Sequence, residues 1–203
     1  MLIKRDSLYI DGKWVSPIEH KAIAVTNPAT EQVMYEVALG SGKDVDVAVR
    51  AARRAFETFS KTTRAERLEL LQAITSVYRS RMKDIAQAIT EEMGAPSLLA
   101  EKEQAAIGIA HLKTTIEVLR TYEFEEECGR ATLTREPIGV VGMISPWNWP
   151  MNQIVCKVAP ALAAGCAMIL KPSEFTPSSA LLFAEVMHEA GVPAGVFNMI
   201  NGL

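Results

Sequence analysis

Short apolar runs alternate with helical patterns in the last third of this chain, and that alternation restricts its fold more than any other feature. The runs at 140–144, 166–170 and 196–200 have the length and β-branched content of buried strands. Between the first two, residues 151–164 read as helical with a break at Pro160. A second helix starts at Thr176, an N-cap with Pro177 at the first helical position, runs through Leu181, Leu182, Glu185 and Val186, and closes at Gly191 before Pro193. Strands joined by helical crossovers predict a β-α-β-α-β unit over 139–202, half of a doubly wound parallel sheet, so the fold class is α/β. Ligands of such sheets bind beyond the carboxyl ends of the strands. Those ends carry Ser145-Pro146-Trp147-Asn148-Trp149-Pro150 and Lys171-Pro172-Ser173-Glu174.

Upstream, Leu8-Tyr9-Ile10 and Lys13-Trp14-Val15 flank Asp11-Gly12, a dipeptide suited to the positive φ values of a type I′ hairpin turn. Asn27-Pro28-Ala29-Thr30 is a turn, after which Val33, Tyr35 and Val37 alternate with Met34, Glu36 and Ala38 as in a half-buried strand. The first forty residues thus read as a small β appendage. A helical segment follows. Asp44 is the expected N-cap of a helix with an apolar face of Val45, Ala48, Val49, Ala52, Phe56 and Phe59. Thr63 and Glu66 have capping-box spacing ahead of Leu68, Leu71, Ile74 and Tyr78, and the pattern continues through Ile85, Ala88 and Ile89 to the stop at Gly94 and Pro96. One further helix is expected over 98–122, ending in the acidic run at 123–127, which reads as a solvated surface. A polar strand at 131–136 ends at Pro137 and offers an edge for pairing outside the main core.

The chain has 203 residues, 49% of them hydrophobic, enough for one substantial core. Twenty-one basic against 24 acidic residues leave a net charge of -3 and no basic footprint for nucleic acid or an anionic membrane. The start, from Met1 to Asp6, lacks the apolar run of a secretory signal, so a cytoplasmic location is expected. The longest apolar stretch, 159–170, contains Pro160 and Gly165 and falls far short of the roughly 20 residues that span a bilayer. Cys128, Cys156 and Cys166, with His20, His111 and His188, lack metal-ligand spacing. No metal site is predicted.

The two loops suggest a nucleotide site. A carboxylate at the end of the second strand is where a dinucleotide fold holds the adenosine ribose diol, and Glu174 stands there, with Lys171 and Ser173 as further partners. A carboxylate near the diol repels a 2′-phosphate, which favours NAD over NADP, although Lys171 offsets that repulsion. The usual Gly-x-Gly-x-x-Gly phosphate loop is absent. The alternative is a proline-bounded turn whose two tryptophans fill a core. Asn148 likewise has two readings: an amide bonded within its own turn, or an N–H donor to an oxygen that becomes negative during attack on a carbonyl. Spacing does not choose between them.

Residues 137–150, followed by Ala159-Pro160-Ala161-Leu162-Ala163-Ala164-Gly165-Cys166 and Leu170-Lys171-Pro172-Ser173-Glu174, closely resemble the NAD(P)-dependent aldehyde dehydrogenases. The resemblance extends to Tyr9-Ile10-Asp11-Gly12-Lys13-Trp14, to Asn27-Pro28-Ala29-Thr30 and to residues 195–202, and so covers essentially the whole chain. It implies a Rossmann-like sheet within an incomplete aldehyde dehydrogenase fold, with residues 1–203 the N-terminal part of the NAD(P)-binding domain. By the same resemblance Asn148 donates to the oxyanion of a thiohemiacetal, Lys171 and Glu174 bind the adenosine ribose, and Ile144, Ser145, Pro146 and Trp147 line the cofactor cleft. Residues 128–137 would belong to an oligomerisation element, giving homodimers or homotetramers.

The family's nucleophilic cysteine, general-base glutamate and second glycine-rich loop all lie beyond the counterpart of Leu203. Cys156 and Cys166 fall in a helix and at the start of a core strand, and no base can be placed beside Cys128, so none of the three is expected to replace the nucleophile. The expectation is therefore part of an enzyme oxidising an aldehyde, with residues 1–203 inactive alone. A non-catalytic nucleotide-binding or interaction module, and a CoA-acylating enzyme of the same fold, are the alternatives.

Overall fold

A computed structural model describes residues 5–203; the reading of a leaderless start rests partly on residues 1–4, which lie outside them. Strands β1 (Leu8–Ile10) and β2 (Lys13–Val15) form the expected hairpin, with Asp11 and Gly12 at φ values of 54° and 72°. The hairpin is not an appendage. Tyr9 pairs antiparallel with Met199 of the last strand, so β1 and β2 extend the main sheet. All three β1 residues are buried, and a strand covered on both faces shows no alternation from which its place could be read. Asn198, fully buried, ties the join: its Oδ1 accepts from the Asp11 N–H at 2.9 Å, and its Nδ2 donates to the carbonyls of Met168 and Gly195.

Strands β3 (Lys21–Asn27) and β4 (Gln32–Leu39) form a separate two-stranded sheet. The expected alternation in β4 fails: Val33 is 63% exposed, whereas Val37, Ala38 and Leu39 are all buried. Helix α1 (Gly42–Phe59) is capped by Ser41, not by Asp44. Asp44 instead lies in the first turn, where its carboxylate accepts from the Ser41 N–H and hydroxyl and from the Ile18 N–H. In α2 (Arg64–Ser80) the Thr63–Glu66 capping box is present as expected, and after Arg81 the chain continues as α3 (Met82–Met93) to a left-handed cap at Gly94.

The helix expected over 98–122 is interrupted. It comprises α4 (Ser97–Leu99), a π-helical turn (Ala100–Gln104) and α5 (Ala106–Thr121). The buried Tyr78 hydroxyl donates to the Ala105 carbonyl at 2.8 Å, and Gly108, lacking a side chain, leaves room for the tyrosine. A partner from another helix thus takes a carbonyl at the irregular turn. The acidic run, exposed as expected, contributes to a strand, β5 (Glu125–Cys128), which pairs with β6 (Ala131–Thr134) in an exposed hairpin.

Strand β7 (Val140–Ile144) leads into α6 (Pro150–Ala164), β8 (Ala167–Lys171), α7 (Pro177–Glu189) and β9 (Phe197–Met199). Sheet order is β2-β1-β9-β8-β7, with β7, β8 and β9 parallel as predicted. Helix α6 runs through Pro160 without the expected break. Val155, Val158, Ala159, Leu162 and Ala163 on either side are all buried, and their packing outweighs the roughly 3 kcal/mol that an interior proline costs. Helix α7 is buried from Pro177 to Met187, its Ser178, Ser179 and Glu185 taking polar partners within that burial, and its Phe183 meets Tyr78 and Phe197 edge-on in the core.

Candidate functional site

Ile144 and Lys171 stand opposite each other at the ends of β7 and β8, and the Ser145 N–H donates to the Lys171 carbonyl at 3.2 Å. The two predicted loops therefore leave the sheet side by side. Trp149 takes a left-handed conformation at φ 55°, uncommon for a residue with a bulky side chain, directly before Pro150 at the helix start. Pro146, Trp147, Asn148 and Trp149 are all exposed, the tryptophans at 50% and 37%, so among the described residues they do not fill a core. Among the described residues Asn148 makes no side-chain hydrogen bond, and the bond within its own turn is not observed. The Ser145 hydroxyl is buried without a partner among the described residues, and Ile144 is 74% exposed at the end of an edge strand.

On the neighbouring loop, the Lys171 ammonium lies 3.3 Å from Glu174 Oε2, both side chains being 28% exposed. The Glu174 backbone N–H first of all holds its carboxyl below the usual carboxylate range against the opposing effect of burial, and the Lys171 ammonium and Ser173 hydroxyl add to the lowering. Glu174 is thus an acceptor with a cation beside it. Ser173 is buried, and its hydroxyl accepts from the Phe175 N–H at 3.2 Å, so it shapes the turn from which Glu174 projects. A hollow of about 550 Å³ lies against the ends of β7 and β8, touching Gly40, Val45, Ile144, Lys171 and Gly202 but none of residues 145–150 or 172–174. A second, more apolar groove of about 380 Å³, between Val118, Tyr122, Phe124 and Pro160, holds none of the predicted site residues.

The structure adds a group that the sequence reading passed over. Glu92, 3% exposed on α3, accepts from the Ser178 N–H, the Ser179 N–H and hydroxyl, and the Tyr35 hydroxyl. Its signal was legible, because Glu92 follows Ile85, Ala88 and Ile89 on the apolar stripe, where a carboxylate needs partners. Burial pushes its carboxyl up to about 7, against the pull of the Ser179, Ser178 and Tyr35 donors. The folded protein therefore holds this proton more tightly than the unfolded chain, whose glutamate stays near 4.5, and stability falls as pH rises from 4.5 to about 7. The loss is about 3 kcal/mol at most. Glu92→Gln is expected to flatten the pH dependence across that window, read as urea midpoints at pH 5 and pH 8; equal slopes in the two proteins would contradict it.

Cys128 is exposed, Cys156 half-buried and Cys166 buried. Among the described residues no three His, Cys, Asp or Glu side chains gather as a metal ion requires, and no helix is long and apolar enough to cross a membrane. The sequence pattern of the aldehyde dehydrogenase family matches residues 14–203. The chain belongs to that family. It is 54% identical over 195 residues to a 3-succinoylsemialdehyde-pyridine dehydrogenase from a Pseudomonas species, covering 96% of this chain and 41% of that protein. An aldehyde dehydrogenase C mutant from Pseudomonas syringae, solved with NAD+ and octanal, superposes with a TM-score of 0.97 at 48% identity, covering 98% of this chain and 41% of that one. An aldehyde dehydrogenase from Bartonella henselae gives 0.96 at 44% identity, covering 98% of this chain and 43% of that one. The fold here is accordingly part of the aldehyde dehydrogenase fold, and the chain spans about two fifths of the length of these relatives.

Proposed function

We propose that this chain is the N-terminal part of the NAD(P)-binding domain of a cytoplasmic enzyme that oxidises an aldehyde to a carboxylic acid, with NAD as cofactor and NADP as the alternative. The observation that carries the reading is the juxtaposition of the two loops: an unbonded asparagine amide and a lysine–glutamate pair on neighbouring strand ends. Relatives solved with NAD+ support the cofactor. Three free cysteines suit a reducing compartment.

Each residue has a task in this reading. Glu174 accepts hydrogen bonds from the adenosine ribose diol, and Lys171 offers its ammonium to the same sugar or a nearby phosphate. Ser173 keeps the turn in shape. Ile144, Pro146 and Trp147 form an exposed wall of the cleft, and Ser145 lies between them in the chain with its hydroxyl buried. When bound, the cofactor supplies the acceptor for the aldehyde's hydride. Asn148 donates its amide N–H to the aldehyde oxygen as a nucleophile adds and that oxygen becomes negative. The nucleophile is not among Cys128, Cys156 and Cys166, so residues 1–203 alone give no aldehyde-dependent NADH. Self-association as a dimer or tetramer is assigned to residues 128–137, and light scattering of the intact protein tests it.

Calorimetry of the intact natural protein with NAD and NADP tests the cofactor reading. Glu174→Gln is expected to weaken NAD binding about tenfold, the order of one charge-assisted hydrogen bond, and to weaken NADP less. Unchanged NAD affinity would remove the ribose site. Product analysis with and without coenzyme A separates the free acid from an acyl-CoA.

A further inference from the structure

Thr176 holds the N-cap position of α7, yet its side chain makes no capping bond. The capping is done from another helix. Glu92 Oε2 accepts from the Ser178 N–H at 2.7 Å, and Oε1 from the Ser179 N–H at 2.9 Å, which satisfies two of the helix's free first-turn donors. The Ser179 hydroxyl donates to Glu92 Oε1 at 2.6 Å and lies 3.2 Å from the Thr176 carbonyl. The Thr176 N–H in turn donates to the Ser173 carbonyl at 3.2 Å, and the Phe175 N–H to the Ser173 hydroxyl. A continuous series of short contacts thus joins a buried carboxylate on α3 to the turn that carries Glu174. Tyr35 of β4 closes the network at Glu92 and Ser178, with the Arg5 guanidinium over its ring at 3.8 Å.

We propose that Glu92 is a positioning residue for the cofactor: by seating the first turn of α7 it fixes the Ser173–Thr176 turn, and so the place from which Glu174 and Lys171 meet the ribose. The inference rests on the ribose reading above. Among the described residues no hydrogen bond of the network reaches residues 145–150, so its loss is expected to act on cofactor binding and to leave the carbonyl chemistry alone. Glutamine at this position turns an N–H₂ towards a backbone N–H, leaving a buried donor unpaired and the turn free to shift.

The test is steady-state kinetics and NAD titration on the intact natural protein carrying Glu92→Gln, Ser179→Ala, Phe183→Leu or Glu174→Gln. Glu92→Gln is expected to raise the KM for NAD about tenfold with kcat within about twofold, and Ser179→Ala to raise it about threefold. Phe183→Leu loosens the core beneath the same helix without touching its first turn, and is expected to lower Tm with KM for NAD unchanged. Should Glu92→Gln fail to accumulate, Ser179→Ala decides. An unchanged KM in the Glu92 and Ser179 variants, or an equal rise in Phe183→Leu, overturns the positioning role. If Glu174→Gln also leaves NAD binding intact, the ribose reading itself has failed and takes this inference with it; a weakened Glu174→Gln beside an unaffected Glu92→Gln refutes the inference alone.

Discussion

Asn148→Ala in the intact natural protein is expected to lower kcat about 100- to 1,000-fold, the ~3 kcal/mol carried by one donor to a developing oxyanion. The amide is exposed on a turn fixed by the left-handed Trp149 and by Pro150, and among the described residues it makes no side-chain bond. Alanine should therefore leave the fold and the NAD affinity unchanged. An interaction made mainly in the transition state appears in kcat more than in KM, so the aldehyde KM should move by less than about threefold. Steady-state kinetics with calorimetry on the same preparation checks both halves. A kcat reduced less than about threefold would return Asn148 to a residue of the turn and nothing more.

Arg81→Ala is expected to destabilise the protein by about 3 to 5 kcal/mol, because it strands a buried carboxylate. Arg81 is the single residue between α2 and α3, and its guanidinium reaches Glu185 at 2.8 Å, Glu189 at 2.7 Å and Asp84 at 2.9 Å. Only the Arg81–Glu185 pair is withdrawn from water, each side chain being 9% exposed. Asp84 and Glu189 are about half exposed and contribute little. The double variant Arg81→Met with Glu185→Leu should regain most of the loss, since two apolar side chains need no partner. Urea unfolding of the three proteins measures this. A single variant within about 1 kcal/mol of the parent would show that Glu185 finds other solvation.

Much of the fold was open to inspection in the chain itself, where local chemistry and burial agree. The Asp11-Gly12 turn, the Thr63–Glu66 box, the Gly94 stop and the three parallel strands each follow from a residue type whose backbone preference or apolar run is satisfied in place. The errors fall where a distant partner overrode local preference. Pro160 reads as a break but stays helical, because its neighbours are buried against the rest of the core. Residues 98–122 read as one helix but contain a π turn, after which the Ala105 carbonyl is taken by Tyr78. Asp44 reads as a cap but gives its carboxylate to Ser41 and Ile18 from inside the helix.

The site divides in the same way. The sequence alone determined which residues lie on the two loops and what each can donate or accept, because functional groups and their order are covalent facts. It also carried the family resemblance, which the match over residues 14–203 bears out. Only the tertiary structure decided that Ile144 and Lys171 share a register, that the tryptophans are exposed among the described residues, and that the N-terminal hairpin extends the main sheet. It alone brought Glu92 to the start of α7, 86 residues along the chain from Ser178. A carboxylate on the apolar stripe of α3 announces the need for a partner, but which partner meets it depends on long-range packing, and that leaves no pattern in a short window of sequence.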